Sequence, residues 1–471
     1  MGLTLAEVFS TSLSKVSQRD HFRSGALYRS VWDVHNGELF SGIKLAYSKV
    51  KLRKLIRLYS AKKLKKGLLD DEYILIDLND IESCRGRIKE GEHRKVTSIG
   101  SDKIVFGDAD LLFSKLRPYL GYAIVNDKSK PFIGTTELVP FKVKDAIVEY
   151  VKYLLLSKEF LGLATLLMYG KEHPRLDVQD LLNIRVPYPP TEKQKEIVDF
   201  INENIERKVD SYKAKITPLQ SAIERVFQQE QVTKETRKQV LTVYQSSFAA
   251  IGHQKYVRCG SRYRFFWDVR QGKLFADSGY GTERLGNLVE TCDSRILSKG
   301  MLESDFTLIE LSDIIPREGR IRNKVRTVNE IGSDKVVFGD ADLLYSQIDP
   351  FLGHVILNDK TKQYIGTTEL IPIRAEAGTN PRYIRYLLLS QNFLDVSRYL
   401  MYGKRHPRIH IVDMMNLKVP HPKPEVQQNI SEQIWKVEKS NIALDDEIGA
   451  LYQKIDGILL DNLGHPTTVN M

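Results

Sequence analysis

Two stretches of this chain, half its length apart, carry nearly the same words. Residues 99–140 read IGSDKIVFGDADLLFSKLRPYLGYAIVNDKSKPFIGTTELVP, and residues 331–372 read IGSDKVVFGDADLLYSQIDPFLGHVILNDKTKQYIGTTELIP. Of these 42 positions 29 are identical, at a constant offset of 232. That spacing is too long for a solenoid unit and is the size of a domain. The match runs on in both directions. WDVHNGELF from Trp32 pairs with WDVRQGKLF from Trp267, and YILIDLNDIES from Tyr73 pairs with FTLIELSDIIP from Phe306. Downstream, MYGKEHPRL from Met168 pairs with MYGKRHPRI from Met401, and VPYP from Val186 with VPHP from Val419. The chain is a duplicated domain, and what one copy does the molecule does twice.

Each copy divides into a globular part and a helical tail. Between Trp32 and Leu120 short apolar runs such as YILIDL alternate with Gly, Asp and Asn, which predicts strands joined by turns. Residues 146–169 have helical period, as one buried helix that carries Lys158 and Glu159 and is too short to span a bilayer. Residues 1–30 and 236–265 predict amphipathic helices. The globular unit is thus α+β, and at roughly 190 residues it is long enough for its own core.

After Pro190, apolar residues fall at Ile205, Val209, Tyr212, Ile216, Leu219, Ile223 and Val226, alternately four and three apart, with a kink expected at Pro218. The second tail carries Ile430, Ile434, Val437, Asn441, Leu444, Ile448, Leu451, Ile455 and Ile458, where the lone polar Asn441 suits register control. An apolar stripe on a polar helix needs a partner. The expected fold is two tandem mixed α/β domains separated by two long helices that form an antiparallel coiled coil with a pseudo-twofold axis; packing of the helices onto the globular parts is the alternative. The expected divisions are 1–190, 191–235, 236–422, 423–463 and a tail at 464–471.

A net charge of +10 gives the chain an electrostatic reason to meet a polyanion. Cys84, Cys259 and Cys292 lack CxxC spacing, which argues against a disulfide framework or zinc ribbon and fits a reducing cytoplasm. No secretory pattern opens the chain, and no membrane association is expected.

Where the copies differ, their tasks differ. Residues 41–66 contain ten Lys or Arg, among them Lys49, Lys51, Arg53 and Lys54, whereas 276–300 contain three, including Arg284 and Arg295. Within the shared phrase Lys115 and Arg117, beside Tyr119, are replaced by Gln347 and Asp349 between unchanged Ser and Pro. Lys and Arg suit guanine acceptors, Gln suits adenine and an acid suits the cytosine amino group; a solvated surface is the plainer alternative. Cations shared by both copies, Lys171, His173 and Arg175 with Lys404, His406 and Arg408, suit phosphate, which carries no sequence information. GTTEL and FGDADLL read as turns, with Gly134 and Gly366 supplying φ freedom and Asp108 and Asp340 bonding their own backbone.

Catalytic equipment is missing from the sequence. There is no Asn/Asp-Pro-Pro-aromatic methyltransferase motif, dinucleotide fingerprint, Walker loop or HExxH. Glu206-Arg207-Lys208 resembles a nuclease signature only loosely and lies on the helical seam.

The order and wording of these phrases resemble the specificity subunit of type I restriction–modification systems. FGDADLLFSKLRPYLG resembles that family's strand-and-turn phrase, and DLLNIRVPYPPTEKQKEIVDFI the boundary between its target recognition domain and conserved helix. The second copy departs at SQIDPFLG and at PKPEVQQNI. The resemblance implies a non-catalytic subunit that reads a bipartite double-stranded DNA target, one part per domain. It implies helices that set the spacer and dock two modification subunits, which carry S-adenosylmethionine and methylate adenine, together with restriction/translocase subunits. No cofactor or metal is expected in this chain. Readings of another class are a coiled-coil adaptor and a stand-alone DNA-modifying enzyme.

Overall fold

The computed structural model describes residues 45–89, 94–170, 173–233, 275, 278–322, 326–403 and 406–464. The helices expected at 1–30 and 236–265, the Trp32 and Trp267 phrases, Lys171 and Lys404 lie outside them. The chain forms two compact units, one of Met1–Ala214 with Asp445–Met471, the other of Lys215–Leu444.

In the first unit a four-stranded antiparallel sheet runs in the order Ile56–Leu58, Leu138–Val143, Leu111–Ser114, Ala123–Val125. A five-stranded sheet runs Lys63–Leu64, Lys103–Val105, Phe132–Thr135, Gly67–Ile76, Arg94–Ile99, with one parallel pair, Gly67–Ile76 beside Phe132–Thr135. Lys49–Lys51 pairs with Arg185–Pro187. The second unit repeats these sheets strand for strand in the same order.

The central strand explains its own sequence. All four residues of Leu343–Ser346 are buried, because both faces of the sheet are covered. Leu343 and Tyr345 pack among the helices, whereas Leu344 packs with Phe338, Ile356 and Tyr364 against the five-stranded sheet.

Two local expectations change. Gly134 and Gly366 sit in strands and are not among the residues with positive φ. Their requirement is space: a Cβ on Gly134 would stand 2.7 Å from the Phe106 ring and 2.8 Å from the Ile76 carbonyl. The turn that needs left-handed backbone is FGDADLL, at Gly107 (φ 49°) and Gly339 (φ 52°). The helix expected over 146–169 is two helices, Val148–Leu156 and Lys158–Leu166. Ser157 is extended (ψ 148°) and caps the second by accepting from the Phe160 N–H, and Ser390 does the same in the other copy.

The last helix is continuous over 40 residues, Pro424–Leu463. Its counterpart is not one helix. It consists of Thr191–Ile201, a π-turn at Asn202–Glu206, Arg207–Lys213 and, after a break, Leu219–Gln229. Pro218 has no N–H and disfavours helix at the residue before it, so the kink becomes an interruption and leaves Ile216 inside it, half-buried.

Asn441 answers the interruption. Its Oδ1 accepts from the Thr217 N–H at 3.2 Å and its Nδ2 donates to the Thr217 carbonyl at 2.6 Å. Within each unit the helical segments pair antiparallel. In the first, Glu206 meets Tyr452 and Tyr212 meets Glu447; in the second, Thr217 meets Asn441 and Glu230 meets Asn429 and Gln433. Of the expected seam residues, Ile205, Val209, Leu219, Ile434, Ile448 and Leu451 are buried, whereas Tyr212, Val437 and Leu444 are half-buried.

Buried polar groups join globular part to helix. Gln194 accepts from the Ile147 N–H and donates to the Pro189 carbonyl, and Gln427 does the same with Asn380 and Pro422. The altered wording PKPEVQQNI thus keeps the buried glutamine. Deeper in the second unit Glu438 receives Arg385 through two bonds (2.9 and 2.7 Å) and the Tyr386 hydroxyl at 2.8 Å. Arg385, fully buried, directs its remaining donors to the carbonyls of Glu318 and Gly319. In the first unit Glu206 holds the same place and receives Arg87, Lys152 and the hydroxyls of Tyr153 and Tyr452. Glu206 is thereby a structural carboxylate and no part of a nuclease signature.

Removing one partner of a buried pair strands the other charge, at a cost of about 3–5 kcal/mol. Glu438→Gln is therefore expected to lower the urea-unfolding free energy of the full chain by about that amount. Glu206→Gln should cost less, because Arg87 keeps Asp210 as a second partner. Equal losses would contradict this account.

Candidate nucleic-acid interface

The positions at which the copies disagree ride on one rigid turn. Ser114 Oγ donates to the Leu116 carbonyl at 2.9 Å, Arg117 is left-handed (φ 47°, ψ 57°), Pro118 opens a single 3-10 turn and Gly121 (φ 58°) closes it. In the second unit Ser346, Asp349 (φ 44°), Pro350 and Gly353 (φ 65°) repeat the geometry. A non-glycine residue in that region costs roughly 1–2 kcal/mol, so something must hold it. The Arg117 N–H donates to the Pro174 carbonyl at 2.8 Å, and the Asp349 N–H to that of Pro407 at 2.9 Å. The unchanged Ser and Pro build the turn, and the changed residues stand on it, Arg117 exposed and Lys115, Gln347 and Asp349 half-buried.

The MYGK-x-HPR loop supplies those carbonyls. Tyr169 and Arg175 exchange both backbone hydrogen bonds, as do Tyr402 and Arg408. The Arg175 guanidinium grips Glu137 of the GTTEL turn through Nε and Nη2, at 2.8–3.2 Å, and Arg408 grips Glu369 in the same way. Lys115 is locked between the Glu137 carbonyl and the Leu176 N–H, and Gln347 between Glu369 and Ile409.

Three phrases distant in sequence thus converge on one glutamate per unit. Around Glu137 the bonded Arg175, desolvation working against it, and the nearby Lys115 and His173 together hold the carboxyl below its ordinary range. In the second unit Arg408 has Asp349 as well as Glu369 nearby. The first cluster carries excess positive charge; in the second an acid replaces one of the cations.

The structure brings Lys115, Arg117, His173 and Arg175 together, with their counterparts Gln347, Asp349, His406 and Arg408. Tyr119 is 43% exposed on the same turn. The guanidinium groups of Arg175 and Arg408, expected to meet phosphate, are already engaged by glutamate. Lys49, Lys51, Arg53 and Lys54 occupy a different element, the strand paired with Arg185–Pro187 and the turn after it. Lys54 lies 4.9 Å from the Tyr188 ring centre, and burial pulls the Lys49 ammonium below its ordinary value. Arg284 sits on the matching strand opposite Lys418, and Arg295 pairs with Glu303 at 3.5 Å. Glu137 and Glu369 escape sequence reading because GTTEL reads as a turn. Their one signal is that each copy keeps the glutamate together with the arginine of HPR.

Among the described residues no cluster of three or more His, Cys, Asp or Glu could hold a metal, and no helix is long and apolar enough to cross a membrane.

Residues 77–220 match the family model described as the type I restriction modification DNA specificity domain. This segment is similar to type I DNA specificity domains. It spans the loop cluster of the first unit, and the second unit repeats its phrases at offsets of 232 and 233. Over residues 77–220 the match agrees with the resemblance to type I specificity subunits. Among solved structures the chain is similar to the HsdS subunit from Thermoanaerobacter tengcongensis, at 17% identity, covering 90% of this chain and 98% of that one with a TM-score of 0.34. It is also similar to the S subunit of the type I system from M. genitalium, at 12% identity, 90% and 97% coverage and a TM-score of 0.37. A third similar chain, at 16% identity, 89% and 99% coverage and a TM-score of 0.37, comes from work on complex assembly and conformational transition of the type I R-M system. No curated protein matches the sequence.

One difference between the two units lies under the turn. His354, where the first copy has Tyr122, is buried, and desolvation lowers its pKa despite the pull of Asp349. The folded unit resists a proton that the unfolded chain takes up near pH 6.5. Stability from this site is complete above that pH and is lost as pH falls towards the depressed folded value. His354→Tyr is expected to reduce the drop in urea midpoint between about pH 7.5 and 5.5; an unchanged drop would exclude His354 as its source.

Proposed function

We propose that this chain is the subunit that gives a type I restriction–modification complex its DNA sequence specificity, by reading a bipartite double-stranded target with one unit per half-site. The observation that carries the reading is the pair of loop clusters, alike in the turn geometry, the loop bridge and the arginine–glutamate pair and unlike in the side chains at two positions. A generic polyanion binder has no reason to keep the turn and replace Lys115 and Arg117 by Gln347 and Asp349. The cationic pair suits guanine acceptors, and the amide and acid suit adenine and the cytosine amino group.

In this reading the globular parts are target recognition domains, and the helical stretches 191–235 and 423–463 are spacer and docking surface for two modification subunits. Those subunits carry S-adenosylmethionine and methylate the DNA, and restriction/translocase subunits complete the assembly. The chain itself recognises and does not catalyse. Lys49, Lys51, Arg53 and Lys54 add phosphate attraction on the first half-site.

Replacing Lys115 and Arg117 together by Ala is expected to relax sequence preference at one half-site only, with about 1–3 kcal/mol of discrimination lost per bidentate contact. Selection of bound duplexes from a random pool by the full chain measures this. Uniform weakening for all sequences would make the pair phosphate contacts. An adaptor for an acidic protein would lack the steep loss of DNA affinity with salt that phosphate contacts produce.

A further inference from the structure

We propose that Tyr169 and Tyr402 are base-stacking wedges: each ring enters a base step of its half-site and unstacks it, whatever bases are read beside it. The proposal rests on the DNA-reading assignment above and adds a contact that reads no sequence.

Four observations lead to it. First, both rings are large and substantially exposed, at 41% for Tyr169 and 39% for Tyr402, on the loop that packs against the reading turn. Second, their backbones are immobilised. Tyr169 is held by two hydrogen bonds of 2.9 Å to Arg175, and Tyr402 by bonds of 2.8 and 2.9 Å to Arg408, whose guanidinium groups are anchored on glutamate. An exposed ring on a rigid mount can be inserted with little ordering cost.

Third, the Tyr402 ring is oriented by its neighbour: one face stacks on the His410 imidazole with centroids 3.8 Å apart and planes within 6°, so it meets a base with the opposite face. Fourth, the copies keep this tyrosine while exchanging both displayed readers. A residue retained across two unlike half-sites serves a task that both share. An aromatic face stacks on any base, and inserted side chains unstack the step they enter.

The test uses the full chain and duplexes that it selects from a random pool, remade with 2-aminopurine at each position in turn. Wild type and Tyr169→Phe are expected to brighten the probe at one step of the first half-site. Tyr169→Ala should abolish that signal, leave the second half-site unchanged and weaken binding roughly tenfold or more. Tyr402→Ala should do the reverse. Should Tyr169→Ala melt the loop, seen as a lowered unfolding midpoint, Tyr169→Gln keeps the length without a π face and is expected to lose the same signal. Unchanged brightening and affinity in both ringless variants would overturn the wedge, while an altered preference in the Lys115/Arg117 variant would leave the reading function standing. A wild-type chain that selects no sequence would remove both.

Discussion

A carboxylate buried between the globular part and its helical support is the constraint on which each unit depends. Glu206 and Glu438 are removed from water, and an unpaired carboxylate there would not survive as a charge. Each therefore dictates what surrounds it. In the second unit one arginine and the Tyr386 hydroxyl satisfy it, with every guanidinium nitrogen engaged. In the first, the aligned position is Lys152, whose amine lies 3.8 Å away and whose pKa burial depresses, and Arg87 supplies the close contact. Two solutions to one electrostatic problem keep the same sheets on the same helices.

From that anchor the rest follows by backbone satisfaction. The interruption at Pro218 frees an N–H and a C=O at Thr217, and Asn441 takes both, so the polar seam residue fixes register by reading main chain and not a side chain across the seam. The left-handed residue of the turn, Arg117 or Asp349, is held by a carbonyl from a loop more than fifty positions away in the chain. That loop is held by an arginine on glutamate. Strain, loop and ion pair form one rigid display, which lets the displayed side chains change without the turn changing.

Much of this was legible in the sequence because duplication separates scaffold from message without an alignment. The offset located two units, alternating apolar runs located strands, and the Lys115/Gln347 and Arg117/Asp349 mismatches located the displayed positions. Legibility failed where a residue's reason is another part of the fold. Gly134 reads as turn freedom but is a strand residue kept small by Phe106 and the Ile76 carbonyl. Ser157 reads as one polar residue in a helix but ends one helix and caps the next. Arg175 reads as a free cation until Glu137 is placed beside it.

What the sequence determined by itself was the existence of two like units, their α+β character and the heptad stripe, because these depend on local period and on self-comparison. Tertiary structure alone decided that the units divide inside the helical stretches, near Ala214 and Leu444, and not at their ends. It also decided that shared cations are partly consumed by glutamates and that one tyrosine per copy stands exposed on a fixed mount. Pairing of charges and exposure of rings depend on neighbours brought together from far along the chain, and no local pattern in the sequence carries that information.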